Sequence, residues 1–206
     1  MSEIRPLRIG LTGSIGMGKS TTAQLFRDEG IAVFDSDAIV HELYQGAAVE
    51  PIAKSFPQVL ENGVINRAKL ADVVLKNPQA LKKVEEIVHP LVWSERDKFF
   101  KTYQEKGAHF VVYDIPLLFE KGVDSSVDII VVASATSEAQ KTRVLARPGM
   151  TVEKFEVLKS KQMSDVEKRA RADFIVDTSF GLESARQQVR DILDKLTQSL
   201  SKQDKK

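Results

Sequence analysis

The stretch that most constrains this chain is Gly10–Thr22, GLTGSIGMGKSTT. Gly13, Gly18, Lys19 and Ser20 satisfy G-x-x-x-x-G-K-[ST], with Ser14, Ile15, Gly16 and Met17 between them. Backbone N–H groups can converge on phosphate oxygens only where no Cβ blocks the approach, which is why the loop needs glycine. A helix beginning directly after it aims the positive end of its dipole at the same oxygens. Lys19 can then reach the β- and γ-phosphates of a nucleotide such as ATP, the Ser20 hydroxyl can ligate Mg²⁺, and Thr21 carries the cradle into the helix. The motif means this only between a strand and a helix, and the flanks supply both. Leu7–Thr12 is a short apolar run, and Lys19–Glu29 has helical spacing and stops at Gly30.

Four further apolar runs read as strands: IAVFD at 31–35, HFVVYD at 109–114, VDIIVVAS at 127–134 and ADFIVDT at 172–178. Strands apolar on both faces belong to a parallel sheet covered on both sides. Helices are expected between them, over Thr136–Ala146, over MTVEKFEVLKSKQ at 150–162, behind a Ser164/Glu167 capping box, and over Leu182–Leu200. SKQDKK at 201–206 reads as a frayed tail. From about Ala38 to Glu105 the chain lacks β-branched strands, reads as mostly helical, and is punctuated by Pro51, Pro57, Asn62-Gly63, Asn77-Pro78 and His89-Pro90. Strands alternating with helices predict an α/β fold, a parallel five-stranded sheet flanked by helices. We expect one domain in three parts. Residues 1–40, 108–146 and 166–206 form a nucleotide-binding core, 41–107 a helical substrate-binding insertion, and 147–165 a lid.

Composition removes other classes. Thirty lysines and arginines against 29 aspartates and glutamates leave a net charge of +1, with no basic excess to signal nucleic-acid binding. The absence of cysteine excludes disulfides, thiolate metal sites and cysteine nucleophiles. The N-terminal residues do not read as a signal peptide, and no run approaches the ~20 apolar residues of a membrane helix. The expectation is a cytoplasmic monomer.

The guanine motif [NT]-K-x-D and the switch motif D-x-x-G are absent, which argues against a GTPase. In VVYDIP the apolar run ends in Asp114, followed by Ile115 rather than by the glutamate that motor ATPases use to activate water. What remains is a small nucleoside-kinase-like fold in which a second substrate accepts the phosphoryl group. Such an enzyme needs a carboxylate at the acceptor hydroxyl, and Asp37 of Asp35-Ser36-Asp37 is the candidate base. A plain helix N-cap is the alternative for Asp37. Asp114 ends a strand where it can face the Mg²⁺ shell, or it is a simple turn residue. Arg143 and Arg147, four apart on the expected helix, can clamp the migrating phosphoryl group. Lys159 and Lys161 read as a solvated face, and Trp93, Phe99 and Phe100 as core. His41 and His109 have no partner at metal-ligand spacing.

These residues together resemble dephospho-coenzyme A kinase over Leu7 to about Leu196. GLTGSIGMGKS is similar to that family's P-loop, VFDSDAIVHEL to its D-x-D segment, GVINRAKLADVVL to its glycine-to-arginine run, IVHPLVW to its His-Pro pair, and DIPLLFEKG to its Pro-Leu-Leu-Phe-Glu stretch. RVLAR and KQMSDVEKRARADFIVDT are similar to its lid arginines and C-terminal signature. The resemblance implies transfer of a phosphoryl group from ATP to the ribose 3′-hydroxyl of dephospho-coenzyme A. It also implies Asp37 as acceptor-activating base, with Arg67, His89, Leu118 and Glu120 around the substrate. Two positions depart from the pattern. Thr178 stands where the family commonly has asparagine, and Lys159 or Lys161 stands where it often has a lid arginine. Another nucleoside or nucleoside monophosphate kinase is the runner-up, and a non-catalytic nucleotide switch the alternative of a different class.

Overall fold

A computed structural model describes residues 5–75 and 77–203. In chain order the elements are β1 (Leu7–Thr12), α1 (Lys19–Asp28), β2 (Ala32–Asp35), α2 (Ser36–Leu43), α3 (Val49–Ser55), β3 (Leu60–Glu61), β4 (Val64–Ile65), α4 (Arg67–Leu75), α5 (Pro78–Glu105) and β5 (Phe110–Asp114). Then follow β6 (Ile129–Ser134), α6 (Ser137–Leu145), α7 (Val152–Ser160), α8 (Asp165–Ala170), β7 (Phe174–Asp177) and α9 (Leu182–Gln203). Two compact units emerge, one of residues up to Phe34 and from Tyr103 onward, the other Asp35–Thr102.

The first unit is built on a five-stranded sheet of order β2-β5-β1-β6-β7. The β1/β5, β1/β6 and β6/β7 ladders are parallel, as apolar runs separated by helices predict. β1 is central in that order, and its Ile9 and Leu11 have no exposed surface. On α9, Ala185, Val189, Ile192 and Leu196 recur at helical spacing and pack with Leu25 and Phe26 of α1 against the sheet. Each large apolar side chain so buried contributes about 1.5–3 kcal/mol. The start of β1 is tied down by Asp128. Its Oδ2 accepts the Arg8 backbone N–H at 2.9 Å and Nε–H at 2.8 Å, and its Oδ1 accepts Nη2–H at 2.7 Å. Burial alone would push the Asp128 carboxyl up; Arg8 outweighs it and holds the group below the usual aspartate value.

The second unit has its own core of Leu43, Ala48, Ile52, Val59, Ile65, Leu70, Val84 and Val88. It differs from the sequence expectation in two ways. β3 and β4 form a small antiparallel hairpin around Asn62-Gly63, with Leu60 opposite Ile65 and Glu61 opposite Val64. Strands of two residues are too short to show alternation, although Asn-Gly is a strong hairpin turn. And His89-Pro90 does not interrupt the helix: α5 runs through Pro90 for 28 residues, anchored by Val84 and Val88. The missing proline N–H costs one intrahelical bond, and the burial of that face outweighs it.

At the C-terminus α9 continues past Leu200 to Gln203, so the first half of the expected tail is helical, and 204–206 lie outside the described residues. The capping box before α8 is present as the spacing predicts: the Ser164 hydroxyl accepts the Glu167 N–H while the Glu167 carboxylate accepts the Ser164 N–H.

Candidate active site

The loop that leaves β1 is shaped by close approach. A Cβ on Gly13 would stand 2.6 Å from the Ala133 carbonyl oxygen, on the neighbouring strand β6. Gly18, the N-cap of α1, has φ +88°, and a Cβ there would meet Thr178 Cγ2 and Oγ1 at 2.7 Å. Both glycines are therefore demanded by packing, and Gly18 by backbone conformation as well. α1 has no side-chain cap, whereas α2, α6, α7 and α8 all have one. α3 lacks one too, but at α1 the uncapped first-turn N–H groups follow directly on the glycine loop, where an anion can approach them. Ser20 lies exposed on that turn.

The loop is gripped from several sides. Its Ile15 N–H donates to Gln162 Oε1 at 2.9 Å, the Ile15 carbonyl accepts Gln140 Nε2–H at 2.8 Å, and Ser14 Oγ donates to the Met163 carbonyl at 3.3 Å. The β1/β5 register sets Leu11 beside Asp114, which brings that carboxylate to the mouth of the loop, where Lys19 Nζ donates to it. The side chain of Asp114 is 5% exposed and that of Lys19 16%, so the pair is shielded from water and each partner needs the other.

Thr178 ties the loop to α6. It is buried; its hydroxyl donates to the Met17 carbonyl of the loop at 3.0 Å and accepts from Arg143 Nη1 at 2.8 Å. Arg143 Nη2 also donates to the Thr178 carbonyl at 2.7 Å, so two bonds fix the guanidinium beside the cradle. Arg147 is not on the same helix face: α6 ends at Leu145, and Arg147 sits exposed in the following turn, because Pro148-Gly149 takes effect earlier than helical spacing alone suggests.

PLLFE folds back along the same unit. Thr12 Oγ1 donates to the Pro116 carbonyl at 3.1 Å. Leu118 has no exposed surface and packs with Phe119 and Val132, so its side chain serves packing and is not presented to a ligand. Glu120 Oε1 accepts the Met163 N–H at 2.8 Å and pairs with Lys168 Nζ at 2.9 Å.

In the second unit, Asp35 is the cap of α2. Its Oδ1 accepts the N–H groups of Asp37 at 3.1 Å and Ala38 at 3.0 Å. Asp37 is thereby released from capping; it lies exposed in the first turn, and its carboxylate makes no hydrogen bond or ion pair among the described residues. Arg67 opens α4, with Asn66 as its cap through bonds to the Ala68 and Lys69 N–H groups. Burial pushes the Tyr44 phenol up, and the Arg67 charge only partly opposes this. His89 is exposed on α5 and stacks on Trp93, ring centroids 6.2 Å apart. Trp93 is thus half exposed rather than core.

The structure therefore brings Gly13–Thr21, Asp114, Arg143 and Glu120 together in one unit and carries Asp37, Arg67 and His89 on the other. Sequence reasoning missed Gln162, Gln140 and Lys168, whose contacts span far too many residues for any local signal.

A parallel sheet with this glycine loop after its central strand, and with a lysine and a strand-end aspartate at the loop, is the architecture of the P-loop small-molecule kinases. Similarity makes this specific. A family model described as dephospho-CoA kinase matches residues 7–184. Curated relatives named dephospho-CoA kinase include one from Agrobacterium fabrum, 53% identical over 91% of this chain and 97% of its own. Another, from Rhodopseudomonas palustris, is 48% identical over 91% and 94%. The crystal structure of TT1252 from Thermus thermophilus superposes with a TM-score of 0.80 at 34% identity, covering 93% of this chain and 98% of that one. The chain belongs to the dephospho-CoA kinase family, and its reaction class is accordingly phosphoryl transfer to dephospho-CoA.

Proposed function

We propose that this chain transfers the γ-phosphoryl group of ATP to the ribose 3′-hydroxyl of dephospho-CoA, giving ADP and CoA. The bond from γ-phosphorus to the β,γ-bridging oxygen breaks as the bond to the 3′-oxygen forms, and the hydroxyl proton passes to Asp37. The carrying observation is the donor cradle: an α1 N-terminus without a side-chain cap, faced by Lys19 on Asp114. Family membership supplies the acceptor. Asp37 suits the base role because Asp35 does the capping and leaves the second carboxylate exposed.

Backbone amides from Gly16 to Thr21 bind the phosphates, and Lys19 moves from Asp114 to the β- and γ-oxygens. Arg143, already tethered at Thr178, stabilises charge on the transferring group, with Arg147 reaching the nucleotide from the exposed turn after α6. Residues 147–165 act as the lid and 41–107 as the acceptor-binding insertion, where Arg67 and His89 contact the substrate. The oxygen donors Ser20 and Asp114 fit Mg²⁺, which takes hard oxygen ligands and usually completes its shell with phosphates and water. When bound, Mg²⁺ would neutralise charge on the β- and γ-phosphates. We place the enzyme in the cytoplasm as a monomer. No helix among the described residues is long and apolar enough to cross a membrane.

The test is ADP release over a panel of dephospho-CoA, adenosine, AMP and shikimate. Turnover confined to dephospho-CoA is expected; turnover of AMP or adenosine without it refutes the reading.

A further inference from the structure

Lys168 has no exposed surface at all, an expensive state for an ammonium group. Nothing in the mechanism above uses it. Its Nζ lies 2.9 Å from Glu120 Oε1 and 5.9 Å from the centroid of the Phe119 ring. Charge holds the pair rather than a full set of hydrogen bonds: Lys168 Nζ makes no well-aligned bond, and Glu120 Oε2 makes none, among the described residues. Burial alone would push the Glu120 carboxyl up; Lys168, its own backbone N–H and the Met163 N–H outweigh this and hold it below the usual glutamate value. Glu120 is therefore ionised at neutral pH.

The oxygen that faces Lys168 also accepts the Met163 N–H at 2.8 Å. Met163 in turn accepts the Ser14 hydroxyl through its carbonyl, and the adjacent Gln162 accepts the Ile15 N–H. A continuous chain of polar contacts thus runs from a buried ion pair to two residues of the phosphate loop. The ion pair joins α8 to the loop after β5, and residues 162–164 are held between that pair and the cradle. Taking up the Ile15 N–H through Gln162 fixes that peptide plane, and with it the direction in which the following amides point.

We propose that Lys168 and Glu120 are positioning residues of the donor site, whose buried ion pair pins residues 162–164 so that Gln162 and Met163 hold Ser14 and Ile15 in the phosphate-binding conformation. The inference rests on the reading of this loop as the ATP site. It gives Glu120 a role distinct from substrate contact: the residue acts on the nucleotide through the loop. Removing one partner of a buried pair leaves an uncompensated charge, whereas replacing both by neutral groups of similar shape need not. Lys168→Met should therefore release the segment. Glu120→Gln combined with Lys168→Met should restore much of it, because the amide oxygen can still accept the Met163 N–H.

The experiment measures Kd for ATP by calorimetry and KM for ATP and for dephospho-CoA, with thermal unfolding alongside. Lys168→Met should weaken ATP about tenfold, near 1.4 kcal/mol, with KM for dephospho-CoA changed less than twofold. The double variant should recover to within about threefold of wild type. Gln162→Ala, at a half-exposed position that should leave folding intact, should weaken ATP about fivefold. Adding Lys168→Met to Gln162→Ala should give little more than the larger single effect, because both act through one chain of contacts. A lowered melting temperature with unchanged ATP affinity in Lys168→Met, or an unchanged affinity in Gln162→Ala, overturns the proposal. So do effects that simply add. If wild type itself does not bind ATP, the donor-site reading fails first, and the two failures are thereby distinguished.

Discussion

Thr178→Val is the perturbation whose magnitude the structure defines best. Valine keeps the shape and removes the hydroxyl of a residue that is only 5% exposed, a hydroxyl bonded both as donor and as acceptor. The bond to the Met17 carbonyl is between neutral groups and contributes about 1 kcal/mol. The bond from Arg143 is charge-assisted, about 1.5–3 kcal/mol when fully buried. Arg143 is half-buried and keeps its second bond to the Thr178 carbonyl, so about 1–2 kcal/mol is the better figure after screening. The sum is about 2–3 kcal/mol, which for a chain of this size lowers Tm by about 4–12 °C. Arg143 also loses one of its two tethers beside the cradle, and kcat should fall about tenfold, or about 1.4 kcal/mol in the barrier. Thr178→Ser is the control: it keeps both hydrogen bonds and removes one methyl group, about 0.8 kcal/mol. Urea unfolding with an unchanged m value and steady-state ADP release give both numbers. Equal stability and equal kcat in the valine and serine variants would refute the role given to the hydroxyl.

Asp37→Asn should lower kcat by about 10²- to 10⁴-fold, the range for losing a general base, with KM for ATP nearly constant; an unchanged kcat removes Asp37 from that role. Lys19→Ala should weaken ATP and cut kcat/KM at least about 10²-fold, since it removes a phosphate ligand and the cation paired with the buried Asp114 carboxylate; near-normal turnover contradicts the cradle. Gly18→Ala combines a left-handed backbone with a Cβ 2.7 Å from Thr178, and should cost about 2–5 kcal/mol in unfolding free energy. The Arg8–Asp128 pair gives an acid-side prediction. The folded-state value of Asp128 lies below its unfolded value, so its contribution is present above about pH 4 and disappears as pH falls through the folded value. Unfolding of Asp128→Asn should accordingly change less than that of wild type between about pH 5 and pH 2.5, and parallel profiles would contradict the assignment.

Much of the fold was written locally. An apolar strand followed by glycines, Lys19 and Ser20 has few other uses, and the capping box at Ser164/Glu167 needs only neighbouring residues. The D-x-D segment was legible as a pair of carboxylates, but which of them caps α2 depends on the turn geometry at the end of β2, and the structure gives that task to Asp35. The hairpin at 60–65 was hidden because two-residue strands show no period. The passage of α5 through Pro90 was hidden because a local breaker yields to a buried helix face.

The sequence by itself carried the reading of a phosphate-binding loop and, by resemblance, of the acceptor, because both rest on short runs whose chemistry is local. Only the tertiary structure decided what holds the phosphate loop in shape. Thr178 reaches Met17 across 161 positions, Gln162 reaches Ile15 across 147, and Lys168 meets Glu120 through the packing of α8 on the loop after β5. Contacts of that span exist only once the parallel sheet has set its strand order, and no periodicity in the chain encodes them.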